Sequence, residues 1–316
     1  MHHYYHPHWQ NFHHRRNHAY RGRDWSLDKN YLREKEEPQY VCVSTDMFDC
    51  AEEQVRATLQ RRPEVHDLDA KATKLKRKFD RTHAPMDGLI ALMAQAPRAV
   101  LAQLQMDARP HDYHDRRARL FELIDFNDTF DLLIMVLSDD NRARFVEKIK
   151  PAMERTCRQV GAPFFSDEQW DAIVRGLSRE IAVYLAAKNS GFHTIMASRT
   201  QDALGIDIQA MDPESHRYVN LDIKSPSAFR HRLERLVQEG RMTERELLLA
   251  DQRRYAIAQN GHGRDKVRVV LFNTLPDDYG EIRGFRFTNE ENVRERLNQL
   301  IRDNGLHDGR FGIVSV

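Results

Sequence analysis

Leu204–Lys224 reads LGIDIQAMDPESHRYVNLDIK, two strand-like runs around a polar turn. In Leu204-Gly205-Ile206-Asp207-Ile208 the isoleucines fall on one strand face and Asp207 on the other, because side chains alternate along a strand. In Val219-Asn220-Leu221-Asp222-Ile223-Lys224 the same alternation puts Leu221 and Ile223 together, with Asp222 and Lys224 opposite. Aspartate is disfavoured inside strands, yet both runs carry one. Pro213-Glu214-Ser215-His216 fits a four-residue hairpin loop. Pairing Asp212 with Arg217 then sets Met211 opposite Tyr218, Gln209 opposite Asn220, and Asp207 opposite Asp222. Carboxylates directly across such a pair have Cβ atoms ~5 Å apart and repel. A divalent cation removes that penalty, and Mg²⁺ takes oxygen ligands from one or two carboxylates plus a substrate phosphate. Lys224, on the same face, is placed to stabilise charge on a phosphate oxygen or to orient an attacking water. The alternative is structural: Asp207, Lys224 and Asp222 form a salt cluster that neutralises itself.

The flanking sequence supplies the elements around this hairpin. Ser166 with Gln169 forms a capping box, so a helix is predicted from there to about Asn189, ended by a left-handed Gly191. Ile173, Leu177, Ile181 and Tyr184 form its apolar stripe, and Glu180 shares that face. An ionised glutamate is almost never buried without a partner, so Glu180 either lies at the stripe's edge beside an arginine or serves a site. Strand character covers Phe192–Ser198, Ala203–Met211 and Arg217–Ser225, followed by helical stretches at Ser227–Glu239 and Thr243–Gln259. Lys266–Leu275 is the strongest strand, and a further strand near Glu281–Thr288 leads to a helix capped by Thr288 with Glu291. The order is helix, three strands, helix pair, strand, in a domain spanning 164–316.

Residues 40–163 read as a helical domain, with segments at Ala51–Gln60, Asp67–Arg81, Met86–Gln105, Phe130–Leu137 and Arg142–Val160, and Ser138 as an N-cap. Its apolar stripes read as core, and no chemical constellation is expected there. Residues 1–39 hold seven of the 16 histidines, with Arg15, Arg16, Arg21 and Arg23, and no apolar period. That pattern predicts a solvated, disordered leader ahead of any weak metal or nucleic-acid contact.

Composition narrows the class. The 316 residues carry 49 Lys+Arg against 48 Asp+Glu, and 41% are apolar, enough for a folded core. Mean hydropathy is −0.71. The longest apolar run, Ile181–Ala187, is far short of the ~20 residues that span a bilayer, so no membrane protein is expected. No secretory signal is expected either. Cys42, Cys50 and Cys157 are odd in number and lack a C-x-x-C pair, which argues against a disulfide framework and fits a cytoplasmic setting. With a net charge of +1, a nucleic-acid partner has to be argued locally.

Glu180 on a helix, Gly205-Ile206-Asp207 in a strand and Asp222-Ile223-Lys224 in the next resemble the PD-(D/E)XK nuclease superfamily. The resemblance covers about Ser166–Leu275. It implies a mixed α/β fold, with an αβββαβ restriction-endonuclease-like core behind an N-terminal helical domain. It also implies Mg²⁺-dependent phosphodiester hydrolysis, with Mn²⁺ as a substitute, usually in DNA rather than RNA. Carried over, it makes Asp207 and Asp222 metal ligands, Lys224 the catalytic lysine, and Glu180 the helix glutamate completing the acidic site. Ile223 would offer its backbone carbonyl to the metal. RecB-like members carry Q-x-x-x-Y on the following helix; here Gln252-Arg253-Arg254-Tyr255 is one residue short, and Gln252 is kept as a substrate-binding candidate. Arg199, in the loop ahead of Asp207, is a second phosphate-contact candidate, while His193 and His216 read as surface histidines.

Seven arginines at 230, 232, 235, 241, 245, 253 and 254 face five acids at 234, 239, 244, 246 and 251, so most are expected to pair on helix surfaces. The helical half is assigned to substrate selection, to a homo-oligomer contact or to another protein partner. The competing reading is a non-catalytic nucleic-acid-binding or assembly protein that retains the nuclease fold.

Overall fold

The chain is mixed α/β. A computed structural model describes residues 44–61, 65–108, 113–202, 204–260, 266–307 and 311; the predicted leader lies outside them. Five helices come first: α1 (Met47–Arg61), α2 (Val65–Thr82), α3 (Pro85–Ala108), α4 (Tyr113–Val136) and α5 (Asp139–Gln159). Then follow α6 (Asp167–Asn189), β1 (His193–Met196), the short α7 (Arg199–Asp202), β2 (Ile208–Met211) and β3 (Tyr218–Lys224). The chain continues through α8 (Pro226–Gln238), α9 (Glu244–Arg253), β4 (Tyr255–Asn260) and β5 (Val267–Asn273). It ends with α10 (Pro276–Tyr279), the hairpin β6 (Ile282–Arg283) and β7 (Arg286–Phe287), and α11 (Glu290–Asn304). Among the described residues no helix is long and apolar enough to cross a membrane.

The main sheet has the order β1-β2-β3-β5-β4, antiparallel except for the parallel β3–β5 pair. Strand β3 is central and buried along six of its seven residues, because both sheet faces are covered. On one face Val219, Leu221, Ile223, Val270 and Phe272 pack with Val183 of α6 and Leu297 of α11. On the other, Val269 and Leu271 pack with Phe229 and Leu233 of α8.

The hairpin register is as the sequence predicts: Met211 pairs with Tyr218 and Gln209 with Asn220. The capping box at Ser166 forms both of its bonds, at 3.1 and 2.9 Å. Gly191 takes φ +89°, and the Phe192 amide bonds back to the Ala187 carbonyl at 3.2 Å to close the helix end.

Several boundaries differ from expectation. The helix expected over Thr243–Gln259 stops at Arg253, where Arg254 turns left-handed at φ +64°, and Tyr255–Asn260 becomes the edge strand β4. Short apolar residues there satisfied a helical period until the backbone reversal intervened. The segment near Glu281–Thr288 is a two-stranded hairpin, since Gly284 and Phe285 both take positive φ, the backbone of a tight turn. Helix α11 is capped by Asn289 rather than Thr288, and Ser138 occupies its N-cap without a side-chain bond to the helix. Cys50 is disulfide-bonded and Cys157 free; an odd count leaves one thiol over but does not preclude a pair.

The described residues belong to one compact unit, and packing continues across residue 163. Helix α6 places Trp170, Leu177 and Ile181 in the helical core, while Ala182, Val183 and Ala186 face the sheet. Phe285, from the hairpin turn, sits 6.4 Å from the Phe130 ring in α4. Ile181 is fully enclosed. Truncating it to alanine is expected to cost about 2–5 kcal/mol, read as a lower urea midpoint at unchanged slope. Because α6 serves both cores, far-UV signal and Trp170 fluorescence are expected to fall together in that titration.

Candidate active site

Asp207 lies one residue ahead of the β2 ladder, where its amide donates to the Leu221 carbonyl at 2.8 Å. Gly205 makes this approach with φ +75°, a conformation glycine adopts freely. A Cβ there would lie 2.6 Å from Asn260 Nδ2. Asp207 Oδ2 accepts the Ile223 amide at 2.6 Å, fixing one carboxylate to the neighbouring strand. The Lys224 ammonium contacts Asp222 Oδ1, donates to the Ile223 carbonyl at 3.3 Å and lies 3.9 Å from Asp207 Oδ2. The three groups assigned as metal ligands on these strands therefore surround one ammonium.

Asp207 and Asp222 side chains are only 10% and 6% exposed. Glu180 is half-buried on α6 and lines, with Asp207, a cavity of about 240 Å³. The helical half forms its other wall: Asp128, Asp131, Leu132 and Met135 of α4 line it, with Lys76 and Asp80 of α2. Asp202, closing α7, lines it too. Asp131 is 6% exposed, and its Oδ1 is buried without a hydrogen-bond partner.

Burial dominates the electrostatics here, because the charged form of each carboxylate loses hydration. It raises Asp207 to about 7, with Lys224 and the Ile223 amide opposing and Asp222 and Asp202 reinforcing. Asp202 also rises to about 7, through burial and then Asp128. Glu180 is pushed well above its ordinary range by burial and then by Asp207, Asp131 and Asp202. Asp131 rises likewise through burial and then Asp128, Asp202 and Asp207. Asp222 is raised by burial, which outweighs Lys224 and Arg232. Burial alone would lower Lys224, but Asp207 and Asp222 hold it above its usual range.

Of the candidate residues, Glu180, Asp207, Asp222, Ile223 and Lys224 thus come together. Gln252 does not join them in any described contact; it is exposed in the last turn of α9. Arg199 opens α7, and its side chain lies outside the described residues. The arginines on α8 and after it mostly pair as expected: Arg230 with Glu234 and Asp251, and Arg235 and Arg241 with Glu239. Arg232 differs, bonding Asn260 Oδ1 at 3.0 Å and acting on Asp222. His193 and His216 are exposed.

The helical half, where no constellation was expected, supplies Asp128 and Asp131. Their signal in the sequence was two aspartates three residues apart in Phe126–Val136, a segment otherwise rich in Phe, Leu and Ile. Asp202 sat in a short polar stretch with no period to orient it.

A hard divalent cation suits this donor set: the oxygens are carboxylate and carbonyl, and buried acid outnumbers buried base. As the side chains stand, no group of three or more His, Cys, Asp or Glu among the described residues is disposed to hold a metal ion. The Lys224 ammonium neutralises the same oxygens. Comparison with known protein families, with curated proteins and with solved structures finds no match for this chain.

Asp202 gives a pH test. Its folded value of about 7 lies above the ~3.9 of an unfolded aspartate. The penalty is absent below pH 4, grows as pH rises toward 7, and is full above it. In EDTA, Asp202→Asn is expected to be more stable than the parent by on the order of 1–3 kcal/mol at pH 8. That advantage should fade by pH 4–5 in urea titrations.

Proposed function

We propose that the chain is a metal-dependent nuclease of the PD-(D/E)XK type, hydrolysing phosphodiester bonds of nucleic acid, DNA ahead of RNA. The observation that carries this reading is the convergence of Asp207, Asp222 and Lys224 about the Ile223 carbonyl, with Glu180 lining the cavity beside them. The order of α6, three antiparallel strands, α8 and the parallel β5 supports it, as that is the element order the restriction-endonuclease-like core requires.

In this reading Asp207, Asp222, Glu180 and the Ile223 carbonyl hold Mg²⁺, or Mn²⁺ in its place. The cation would lower the pKa of an attacking water and offset charge developing on the phosphate. Asp207 is oriented by the Ile223 amide, and Asp222 is fixed in the buried central strand. Lys224 keeps its proton in this acidic surrounding. Its ammonium therefore serves as a fixed positive charge for a phosphate oxygen, rather than as a base. Arg232 adds positive potential on the α8 side. With most other arginines paired, the grip on phosphate is local, in keeping with the net charge of +1.

The contact between Lys224 and Asp222 equally favours a second reading, a self-neutralising ion-pair network in a non-catalytic nucleic-acid-binding or assembly protein. Cleavage assays separate the two. The purified chain is incubated with single- and double-stranded DNA and with RNA, in Mg²⁺ or Mn²⁺. Lys224→Ala and Asp222→Asn are expected to reduce cleavage ~10²-fold or more while circular dichroism stays native. No cleavage by the parent in any condition, or undiminished cleavage by the variants, overturns the nuclease reading.

A further inference from the structure

We infer that the helical half builds a second divalent-cation position in this cavity, on Asp131 and Asp128 of α4 facing Glu180 of α6. The inference deepens the nuclease reading and rests on it for its purpose, though not for its chemistry.

The cavity wall is the first support. Asp128 and Asp131 lie three residues apart on α4, hence on one face of the helix. Both line the same 240 Å³ space as Glu180, Asp202 and Asp207. The second support is the state of Asp131. Its side chain is more than nine-tenths buried, and Oδ1 has no hydrogen-bond partner. Leaving a buried acceptor unsatisfied costs about 1–3 kcal/mol, and more when the group is charged. A cation in the cavity supplies what this oxygen lacks.

Charge balance is the third support. Asp128, Asp131, Glu180, Asp202, Asp207 and Asp222 act on one another here, with Lys224 as the ammonium at their centre. Lys76, at the cavity edge, is engaged with Asp80 at 3.0 Å. A single divalent ion beside Lys224 leaves the wall strongly acidic, and an anionic phosphodiester would be repelled from it. A second ion on the α4 side brings the cavity close to neutral. No histidine or cysteine lines the space, so the ion is a hard one, Mg²⁺, Mn²⁺ or Ca²⁺, rather than Zn²⁺. Without the ion, repulsion keeps the carboxylates apart. Its entry draws Asp131 and Glu180 together.

Calorimetric titration of the full chain with Mg²⁺, after EDTA stripping, tests this. Asp131→Asn keeps the side-chain shape and removes the charge; Asp222→Asn does the same on the opposite wall. Each is expected to lose one bound Mg²⁺ per chain relative to the parent, and the double variant two. Any contribution of the His-rich leader cancels in these differences. Asp128→Asn, an independent check, is expected to weaken the α4-side ion at least ~10-fold. Parental stoichiometry in Asp131→Asn overturns the inference, as does loss of the same single ion by Asp131→Asn and Asp222→Asn. Failure of the nuclease reading looks different: two ions bind and separate as described, but no nucleic acid is cleaved. Cleavage supported by one ion, with Asp131→Asn fully active, keeps the nuclease and discards the second ion.

Discussion

The Lys224 ammonium rests against Asp222 and within 3.9 Å of Asp207 Oδ2, and much of the sheet domain is arranged to make that contact possible. Both carboxylates are buried, so the attraction acts in a medium less polarisable than water and is correspondingly stronger. The arrangement needs β3 in the middle of the sheet, with α6 and α11 over one face and α8 over the other. It also needs Asp207 to leave the β2 ladder, freeing Oδ2 to accept the Ile223 amide. Gly205 permits that departure, and Asn260, at the end of β4, closes the space where any larger residue would have to sit.

Helix α6 ties this centre to the rest of the chain. One face carries Leu177 and Ile181 into the helical core, the other carries Val183 and Ala186 onto the sheet, and Glu180 opens into the cavity. A helix buried on two sides leaves little choice in where its polar residues go. The helical half is therefore a wall of the site rather than an appendage, and Asp131 is where that wall carries charge.

The hairpin centre was legible in the sequence because two rules agree there. Alternation sets the faces, and a four-residue loop sets the register, so the approach of Asp207 to Asp222 followed without tertiary knowledge. The Ser166 capping box was legible for a similar reason, being local and reciprocal. Strand β4 was not legible: its residues fit a helical period, and only pairing with β5 makes them extended. Asp131 was hidden differently. Its helix was read correctly as buried, but which neighbour buries it depends on α6 and α7 arriving from much later in the chain, and no local pattern encodes that arrival.

A purely structural ion-pair network and a cation site make different demands on charge. Burying an ion pair in place of apolar residues is often neutral or destabilising, so such a network gains stability only when its charges are matched and its remaining lone pairs are bonded. Here the match fails. Burial raises Asp131, Glu180, Asp202 and Asp207, each shift is increased by another acid in the group, and Lys224 does not offset them all. Either protons or cations must balance the excess. Protonation would relieve the repulsion but leave Asp131 Oδ1 without a donor, since a proton on a carboxyl supplies one to its surroundings rather than to its own second oxygen. A hard cation answers both demands, relieving the repulsion and engaging the oxygen, and it matches the oxygen-only chemistry of the cavity wall.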